Sequence, residues 1–418
     1  MRVLHVITGL DVGGAEEQLR LLLRRLPAHS VRGEVVTLTS PGSVAEGIRA
    51  DGTPVAHLGM AGNRDLAALP RLVRLMRSGS YDLVHTHLYR ACVYGRIAAR
   101  LAGVRTVVAT EHSLGERALE GRPLTAGVRA LYLATERLGT TTVAVSATVE
   151  QRLRRWGVPA SRLCTVPNGI DAARFRFDPA ARAAVRSGLG LAPDAFVVAG
   201  VGRLVAGKRF DTLVDAVAAL PGAHLLLAGD GPELPALRAR AAALGAGDRV
   251  RLLGECAGGP GAGRTPRGTA PDVPGVLAAA DVFASPSPEE SFGLAVVEAL
   301  AAGLPVLYAA CPAIEDLPPG QAPGAHRFAS SPGSPADALR GALARHAAGT
   351  PRAAGPARLP VPPVVHRYDI ARCAERLALV YRAALGTPPD GGTARVPAPE
   401  TASPVLPSLS PDRSPTTR

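Results

Sequence analysis

The chain has 418 residues, which is too long for one ordinary hydrophobic core and suits two domains. Apolar residues make up 47% of it and aromatic residues only 4%, so Ala, Val and Leu must fill the core, as they do around parallel strands buried on both faces. The formal net charge of +12 favours an anionic partner. The basic residues are dispersed and few rings can stack on bases, which argues against nucleic acid.

The N-terminus and the cysteines bear on the compartment. The first residues, M-R-V-L-H-V-I-T-G-L, lack the longer apolar stretch and the cleavage site of a secretory signal. No apolar run in the sequence reaches the length of a membrane span. The five cysteines are odd in number, widely spaced and never in C-x-x-C, which argues against a disulfide framework. We therefore expect a cytoplasmic protein with reduced cysteines.

The first half of the chain alternates short apolar runs with segments of helix length. This alternation indicates βαβ units and a parallel sheet. The predicted strands are Val3–Ile7, Glu34–Leu38, Val55–Leu58, Leu83–Thr86, Thr106–Thr110 and Thr142–Val145, and the clearest helices are Ala15–Arg25, Ala91–Ala102 and Thr125–Leu138.

A basic amphipathic segment runs from Arg64 to Arg77, R-D-L-A-A-L-P-R-L-V-R-L-M-R. Its Leu, Val and Met residues alternate with Arg at roughly helical spacing, as in helices that lie on anionic membranes. A core-packing helix with a solvated Arg face is the favoured interpretation, because most amphipathic helices are of that kind. Peripheral contact with the inner face of an anionic membrane is the alternative.

The alternation restarts after the turn at Pro167, Asn168 and Gly169, and Asp171 can cap the next helix. The predicted strands of this half are Phe196–Val201, His224–Ala228, Val250–Leu253, Val282–Ala284 and Val306–Ala309. The chain therefore repeats a doubly wound α/β architecture, with domains expected at residues 1–170 and 171–365. Residues 257–275 are rich in Gly and Pro and indicate a mobile loop, and the Pro/Ser/Thr-rich residues 387–418 indicate a disordered tail.

Lys208 is the only lysine of the chain, although Lys and Arg together number 47. It lies in the run V-A-G-V-G-R-L-V-A-G-K-R-F, where glycines follow an apolar strand pattern and Arg203 lies five residues earlier. The lysine ammonium is a compact charge on a thin stem, so it can touch a phosphate oxygen where the wide arginine fork would collide. The run indicates a site for an anionic ligand, although a surface lysine in a polar loop would give the same pattern.

A second informative run is S-P-S-P-E-E-S-F-G-L-A-V-V-E-A-L-A-A-G-L-P-V, from Ser285 to Val306. Small residues precede a predicted helix at Leu294–Ala302, whose first N–H groups can bind an anion. Glu298 lies inside this helix and Glu290 in the loop before it. Two carboxylates beside a phosphate-binding helix and the two cations fit a sugar phosphate ester.

The run E-S-F-G-L-A-V-V-E, from Glu290 to Glu298, resembles the E-x7-E motif of retaining glycosyltransferase family 4, and G-R-L-V-A-G-K-R-F resembles that family's phosphate-contact motif. G-G-A-E, D-L-V-H-T-H, T-E-H-S, V-P-N-G-I-D, L-L-L-A-G-D-G-P and A-A-G-L-P-V also occur in the family's order. The resemblance implies the GT-B fold, two Rossmann-like domains facing across a cleft. It also implies that residues 366–386 form a helix that crosses back to the N-terminal domain. Arg209, where the family usually has Gly, and the insertion after Glu255 are departures.

The resemblance implies a transfer from a nucleoside diphosphate sugar to a hydroxyl of a glycan, a lipid-linked acceptor or a small molecule, with a UDP-sugar favoured over a GDP-sugar. It implies catalytic roles for His112, near the donor sugar, Glu290, Arg203 and Lys208. Retention by a front-face route requires no covalent nucleophile. The implied donor-binding residues are Gly13, Gly14, Arg203, Lys208, Glu290, Phe292, Gly293, Leu294 and Glu298, with Glu298 on the ribose.

His85 and His87 raise the question of a metal. Strand alternation points both toward one face, and His112 could complete a three-His site. No acidic or cysteine cluster accompanies them, and the chain has no D-x-D, so we expect no metal requirement and no cofactor.

Two other functions stay open at the sequence level. Lys208 could carry pyridoxal phosphate, as in sugar phosphorylases of related fold, or the chain could be an inactive nucleotide-sugar binder.

Overall fold

The computed structural model describes residues 1–62, 65–116, 118–120, 122–256, 271–328, 334–349 and 358–386. Within this part of the chain, none of the helices has the length and hydrophobicity needed to cross a bilayer. The strands are β1 (Arg2–Ile7), β2 (Arg32–Thr37), β3 (Val55–His57), β4 (Leu83–His87), β5 (Val107–Glu111), β6 (Ala118–Leu119), β7 (Arg122–Pro123), β8 (Thr141–Ala144), β9 (Leu163–Thr165), β10 (Phe196–Val201), β11 (Ala223–Ala228), β12 (Val250–Gly254), β13 (Val282–Ser285), β14 (Val306–Tyr308) and β15 (Ala325–Arg327).

Helices separate most of these strands. The α-helices are α1 (Gly14–Arg25), α2 (Gly42–Ala50), α3 (Ala68–Gly79), α4 (Tyr89–Ala102), α5 (Ala126–Glu136), α6 (Ala147–Trp156), α7 (Pro179–Gly188), α8 (Phe210–Ala218), α9 (Leu234–Ala243), α10 (Val273–Ala279), α11 (Leu294–Ala301), α12 (Pro312–Glu315), α13 (Pro335–Gly349), α14 (Pro363–Arg367) and α15 (Ile370–Leu385). Short 3₁₀ helices lie at Leu26–His29, Ala160–Arg162, Ala172–Phe175 and Ala206–Lys208.

Two parallel sheets organise the molecule, which confirms the predicted doubly wound α/β fold. The first sheet has seven strands in the order β3-β2-β1-β4-β5-β8-β9, and the second has six in the order β12-β11-β10-β13-β14-β15. In each sheet the strand order reverses beside the first strand of that half, and crevices at such points bind ligands at the carboxyl ends of the strands. The antiparallel pair β6–β7 lies outside both sheets.

The strand and helix predictions agree with the structure to within about three residues, and the differences have local causes. The segment predicted as a loop up to residue 275 ends earlier, because the Asp272 side chain caps α10 by accepting from the Gly275 amide. Residues 257–270 and the predicted tail lie outside the described part of the chain. Asp171 makes no capping hydrogen bond, and its carboxylate instead lies 3.8 Å from Arg25.

The segment predicted as one helix from His366 is divided into α14 and α15. The break falls at Tyr368 and Asp369, where Asp369 caps α15 by accepting from the Ala371 amide. Helix α15 packs against α1 and the first sheet, burying Leu377 and Tyr381 with Val3. The C-terminal end of the described chain thus ties back to the N-terminal sheet.

Residues 68–77 of the basic amphipathic segment lie in α3, which buries Leu72, Val73 and Met76 in the N-terminal core and packs on α4, and Arg64 lies outside the described part of the chain. Arg71 donates to the carbonyl of Leu58, and Arg77 donates to that of Leu101. These contacts agree with the favoured core-packing interpretation of the segment.

Candidate active site

A cavity of about 450 Å³ lies between the carboxyl ends of the two sheets. The N-terminal side contributes the loop before α1 and the end of β5, and the C-terminal side contributes the loops after β10 and β13. All ten residues singled out in the sequence line this cavity: Gly13, Gly14, His112, Arg203, Lys208, Glu290, Phe292, Gly293, Leu294 and Glu298. The structure places them together, and their roles stay predictions.

Lys208 ends the 3₁₀ turn that follows β10, and its ammonium lies 2.5 Å from Oε1 of Glu290. Both side chains are partly buried, and Arg203 is exposed on the same wall. The pair joins the two sequence motifs in space, with a cation and a carboxylate side by side. A ligand phosphate at Lys208 would therefore share the ammonium with Glu290.

The residue after Lys208 explains a departure noted in the sequence. Arg209 has φ 53°, in the left-handed region that favours glycine, and it precedes α8. Its guanidinium donates to the Asp211 carboxylate at 3.0 and 3.2 Å. The backbone therefore keeps the shape that a glycine would adopt, at a cost of about 1 kcal/mol for the side chain.

Helix α11 points its N-terminus into the cavity, and its first amide N–H groups have no partners within the helix. Gly293 precedes it with φ 100°, and a Cβ there would lie 2.5 Å from Sγ of Cys311. On the opposite wall, a Cβ on Gly14 would lie 3.3 Å from Cδ1 of Leu294. Glycines thus let two backbones approach the same point from both walls, where the helix can bind an anion.

Glu298 lies in α11 and is partly buried. Burial raises the pKa of its carboxyl to about 7, while nearby Arg174 opposes the rise and Glu17 adds to it. Arg174 and Glu17 also line the cavity, and the sequence analysis missed both. The available signal was position, since Arg174 follows the V-P-N-G-I-D motif by three residues.

The N-terminal wall contains a chain of buried histidines. Nε2 of His112 lies 3.1 Å from Nδ1 of His87, and Nε2 of His87 lies 3.1 Å from Nδ1 of His5. Burial lowers the pKa of His112 to about 4 and that of His5 to about 3, and it lowers the pKa of His87 well below its usual value. These rings are therefore neutral at pH 7.

His85 lies beside these rings but does not belong to the hydrogen-bonded row of His112, His87 and His5. Its ring nitrogens bond to the hydroxyls of Tyr381, at 2.6 Å, and Thr110, at 2.7 Å. Among the described residues, the three histidines whose ligand atoms all lie within 4.8 Å of one another are His5, His85 and His87, not the set with His112 considered from the sequence. Because both nitrogens of His85 and of His87 are engaged in hydrogen bonds, a metal would have to displace one such bond at each of these two rings.

Further contacts join the two walls beside the cavity, and the sequence analysis missed them. Arg152 on α6 donates to the carbonyl of Leu114 at 2.7 Å and lies 3.2 Å from Oε1 of Glu289. The same guanidinium lies 3.5 Å from the carbonyl oxygen of Glu290. The amide of Glu116 also donates to the Glu289 carboxylate. Glycine at position 115 leaves room for that carboxylate, since a Cβ there would lie 2.7 Å from Oε2 of Glu289.

Comparisons with known proteins agree with this architecture. The model of Glycosyltransferase Family 4 matches residues 12–174, and that of Glycosyl transferases group 1 matches residues 195–346. The D-inositol 3-phosphate glycosyltransferase 1 of Catenulispora acidiphila is 32% identical over 333 residues, which cover 72% of this chain and 75% of that protein.

Two further similarities concern sugar transfer and fold. The UDP-Gal:alpha-D-GlcNAc-diphosphoundecaprenol alpha-1,3-galactosyltransferase of Escherichia coli is 29% identical over 58% of this chain and 62% of that protein. The crystal structure of Anabaena Alr3699/HepE in complex with UDP-glucose superposes with a TM-score of 0.73 at 23% identity, covering 92% of this chain and all of that one.

Proposed function

The chain belongs to glycosyltransferase family 4, whose members are nucleotide-sugar-dependent retaining enzymes of the GT-B fold, and from this membership we propose that it transfers a sugar from a UDP-sugar to an acceptor hydroxyl. The observation that carries the proposal is one cavity that holds Lys208, Arg203, the N-terminus of α11 and Glu298. Two similar proteins, one named for UDP-galactose and one crystallised with UDP-glucose, support uracil as the base.

The C-terminal wall would bind the donor diphosphate. Lys208 and Arg203 supply two cations, and the amides of α11 supply donors that are already oriented. When the bond between the anomeric carbon and the phosphate oxygen breaks, negative charge grows on the departing UDP. Groups fixed in advance around that charge stabilise the transition state more than the ground state.

Glu290 and His112 would lie on either side of the transferred sugar. The Glu290 carboxylate is held beside Lys208 and can stabilise the positive charge that develops on the sugar ring. His112 is neutral at pH 7 and can hydrogen-bond a sugar hydroxyl without repelling that charge. The acceptor oxygen would form its bond on the face that the diphosphate leaves, passing its proton to the departing phosphate oxygen, so no covalent nucleophile is assigned.

Glu298 would accept hydrogen bonds from the ribose hydroxyls. Its place inside α11 puts it beyond the phosphate-binding end of the helix, and it lines the same cavity. The acceptor is a hydroxyl-bearing molecule, and the names of the similar proteins suggest inositol phosphate and lipid-linked glycans as compounds to test first.

A donor panel tests the proposal. The purified chain is incubated with UDP-glucose, UDP-galactose, UDP-N-acetylglucosamine and GDP-mannose, with D-inositol 3-phosphate among the acceptors, and released nucleoside diphosphate is measured. We expect release of UDP from at least one UDP-sugar and none of GDP. Release of GDP alone would overturn the assignment of the base. Absence of turnover, with tight binding of UDP, would favour the inactive nucleotide-sugar binder.

A further inference from the structure

We propose that His87 and His5 are positioning residues that fix the tautomer of His112, so that Nδ1–H of His112 points into the cavity as a hydrogen-bond donor to the sugar donor. The inference rests on the proposed role of His112 at the transferred sugar. It assigns a task to His87, in the run D-L-V-H-T-H, and to His5 in β1. The proposed binding of the diphosphate uses neither residue.

The three rings come from adjacent strands of the first sheet. Strand β1 lies between β2 and β4, and β4 pairs with β5, at whose end His112 stands. His5 and His87 are fully or almost fully buried, and His112 is 7% exposed where it borders the cavity. The row of three histidines ends at Nδ1 of His112 and at Nε2 of His5. Within the described residues, neither of these nitrogens has a hydrogen-bond partner.

Neutral imidazoles allow only two proton arrangements along the row of His112, His87 and His5. Each ring has one N–H, and each of the two bonds needs one donor and one acceptor. Either every N–H points away from the cavity, which leaves Nδ1 of His112 as an acceptor, or every N–H points toward it, which makes Nδ1–H of His112 a donor.

The environment of His5 favours the second arrangement. In the first, Nε2–H of His5 would be a buried donor without an acceptor, which proteins tolerate less often than an unused acceptor. Nε2 of His5 packs near Leu23 and the backbone of Gly33, where a Cβ would lie 3.4 Å from it. The unused lone pair therefore belongs at His5, and the N–H belongs at His112.

His85 provides a matched control. It lies two residues from His87 on the same strand and is equally buried, but it bonds to hydroxyls and has no bond to His112. Removing either histidine deletes buried polar contacts, whereas only His87 can set the proton on His112.

The first test is kinetic and uses His87→Leu, His87→Asn and His85→Leu in the full chain. An Asn amide can replace the Nδ1–H donor of His87, and Leu cannot. We expect His87→Leu to lower kcat about tenfold per folded site, with the Kd for UDP unchanged and with His87→Asn keeping most of the activity. His85→Leu should keep the wild-type kcat. Equal losses in His87→Leu and His85→Leu, or no rescue by Asn, would overturn the positioning role.

The second test reads the tautomer directly. With ¹⁵N-labelled histidine, long-range ¹H–¹⁵N spectra distinguish a protonated ring nitrogen from an unprotonated one, and a His112→Asn variant assigns the signal. We expect a protonated Nδ1 in the wild type and a mixture of tautomers in His87→Leu. A protonated Nε2 in the wild type would disprove the inference. Because this reading needs no turnover, it stands apart from a failure of the proposed transferase activity.

Discussion

The C-terminal wall of the cleft presents the cations Lys208 and Arg203, whereas the histidines of the N-terminal wall form a buried row of neutral imidazoles that reaches the cleft at one end. Lys208 and Glu290 lie in loops after strands, where both stay partly accessible to solvent. His5 and His87 lie inside strands, where burial lowers the pKa of each ring. The comparison indicates a division of tasks, in which one wall binds the diphosphate charge and the other bonds the neutral hydroxyls of the sugar.

The largest effect is expected from the cation of the charged wall. Lys208→Ala and Lys208→Arg should each cost about 3 kcal/mol of transition-state stabilisation, roughly a hundredfold in kcat, because a preorganised contact to the departing diphosphate is lost or displaced. Arginine fails since its wide fork cannot replace a compact charge held 2.5 Å from Glu290. Steady-state release of UDP measures both, and wild-type turnover by Lys208→Arg would contradict the assignment.

The neighbouring residue supplies the control. Arg209 pairs with Asp211 on the surface and holds a left-handed backbone. Arg209→Gly should therefore keep the wild-type kcat and raise the free energy of unfolding by up to about 1 kcal/mol, since glycine relieves the backbone strain.

Glu290→Gln should give the next largest loss, about tenfold or more in kcat with less change in donor affinity. The substitution keeps the size of the side chain and removes the charge that would face the developing positive charge of the sugar. Calorimetry with UDP separates this role from that of Glu298. If Glu290→Gln weakened the binding of sugar-free UDP more than Glu298→Gln did, the two roles would be reversed.

The two walls also differed in how far the sequence could predict them. The charged wall lies in two continuous motifs, so Lys208 and Glu298 could be named from their neighbours alone. The histidine chain was only half visible, because His5 lies 82 residues from His87 and stands in no motif. Arg152 approaches Glu290 across 138 residues and meets it only when the two domains pack. Local sequence patterns predicted strands and motifs, but they could not predict contacts between residues far apart in the sequence.

Arg152 tests whether the walls act together. Arg152→Ala should lower kcat severalfold and leave the Kd for UDP nearly unchanged, because the guanidinium contacts Glu289 and the carbonyl oxygen of Glu290 without lining the cavity. Arg155 lies on the same helix, and its exposed side chain lies 3.1 Å from Glu116, so Arg155→Ala is the matched control and should behave like the wild type. An equal fall in both variants would show that the contact across the cleft does not position Glu290.

The last prediction concerns donor affinity at Glu298, where the effect depends on pH. Burial raises the pKa of its carboxyl to about 7, so the carboxylate that accepts from the ribose hydroxyls forms only as pH rises through 7. The diphosphate of a UDP-sugar is a diester without a titration in this range. The affinity for UDP-glucose should therefore rise up to about tenfold from pH 6 to pH 8. In Glu298→Gln this slope should disappear, with kcat little changed.

Two signs separate Glu298 from other carboxyls. Burial also raises the pKa of Glu16 to about 7, but its carboxylate interacts with Arg203, so its ionisation would weaken donor binding as pH rises. Glu16→Gln should therefore keep or steepen the slope. The free energy of unfolding changes in the opposite direction. Because folding raises the pKa of the Glu298 carboxyl, the protein loses stability as pH rises from the usual carboxyl pKa to about 7. Relative to the wild type, Glu298→Gln should thus gain stability between pH 5 and pH 8 in thermal unfolding, and a pH-independent difference would show that Glu298 does not titrate in that range.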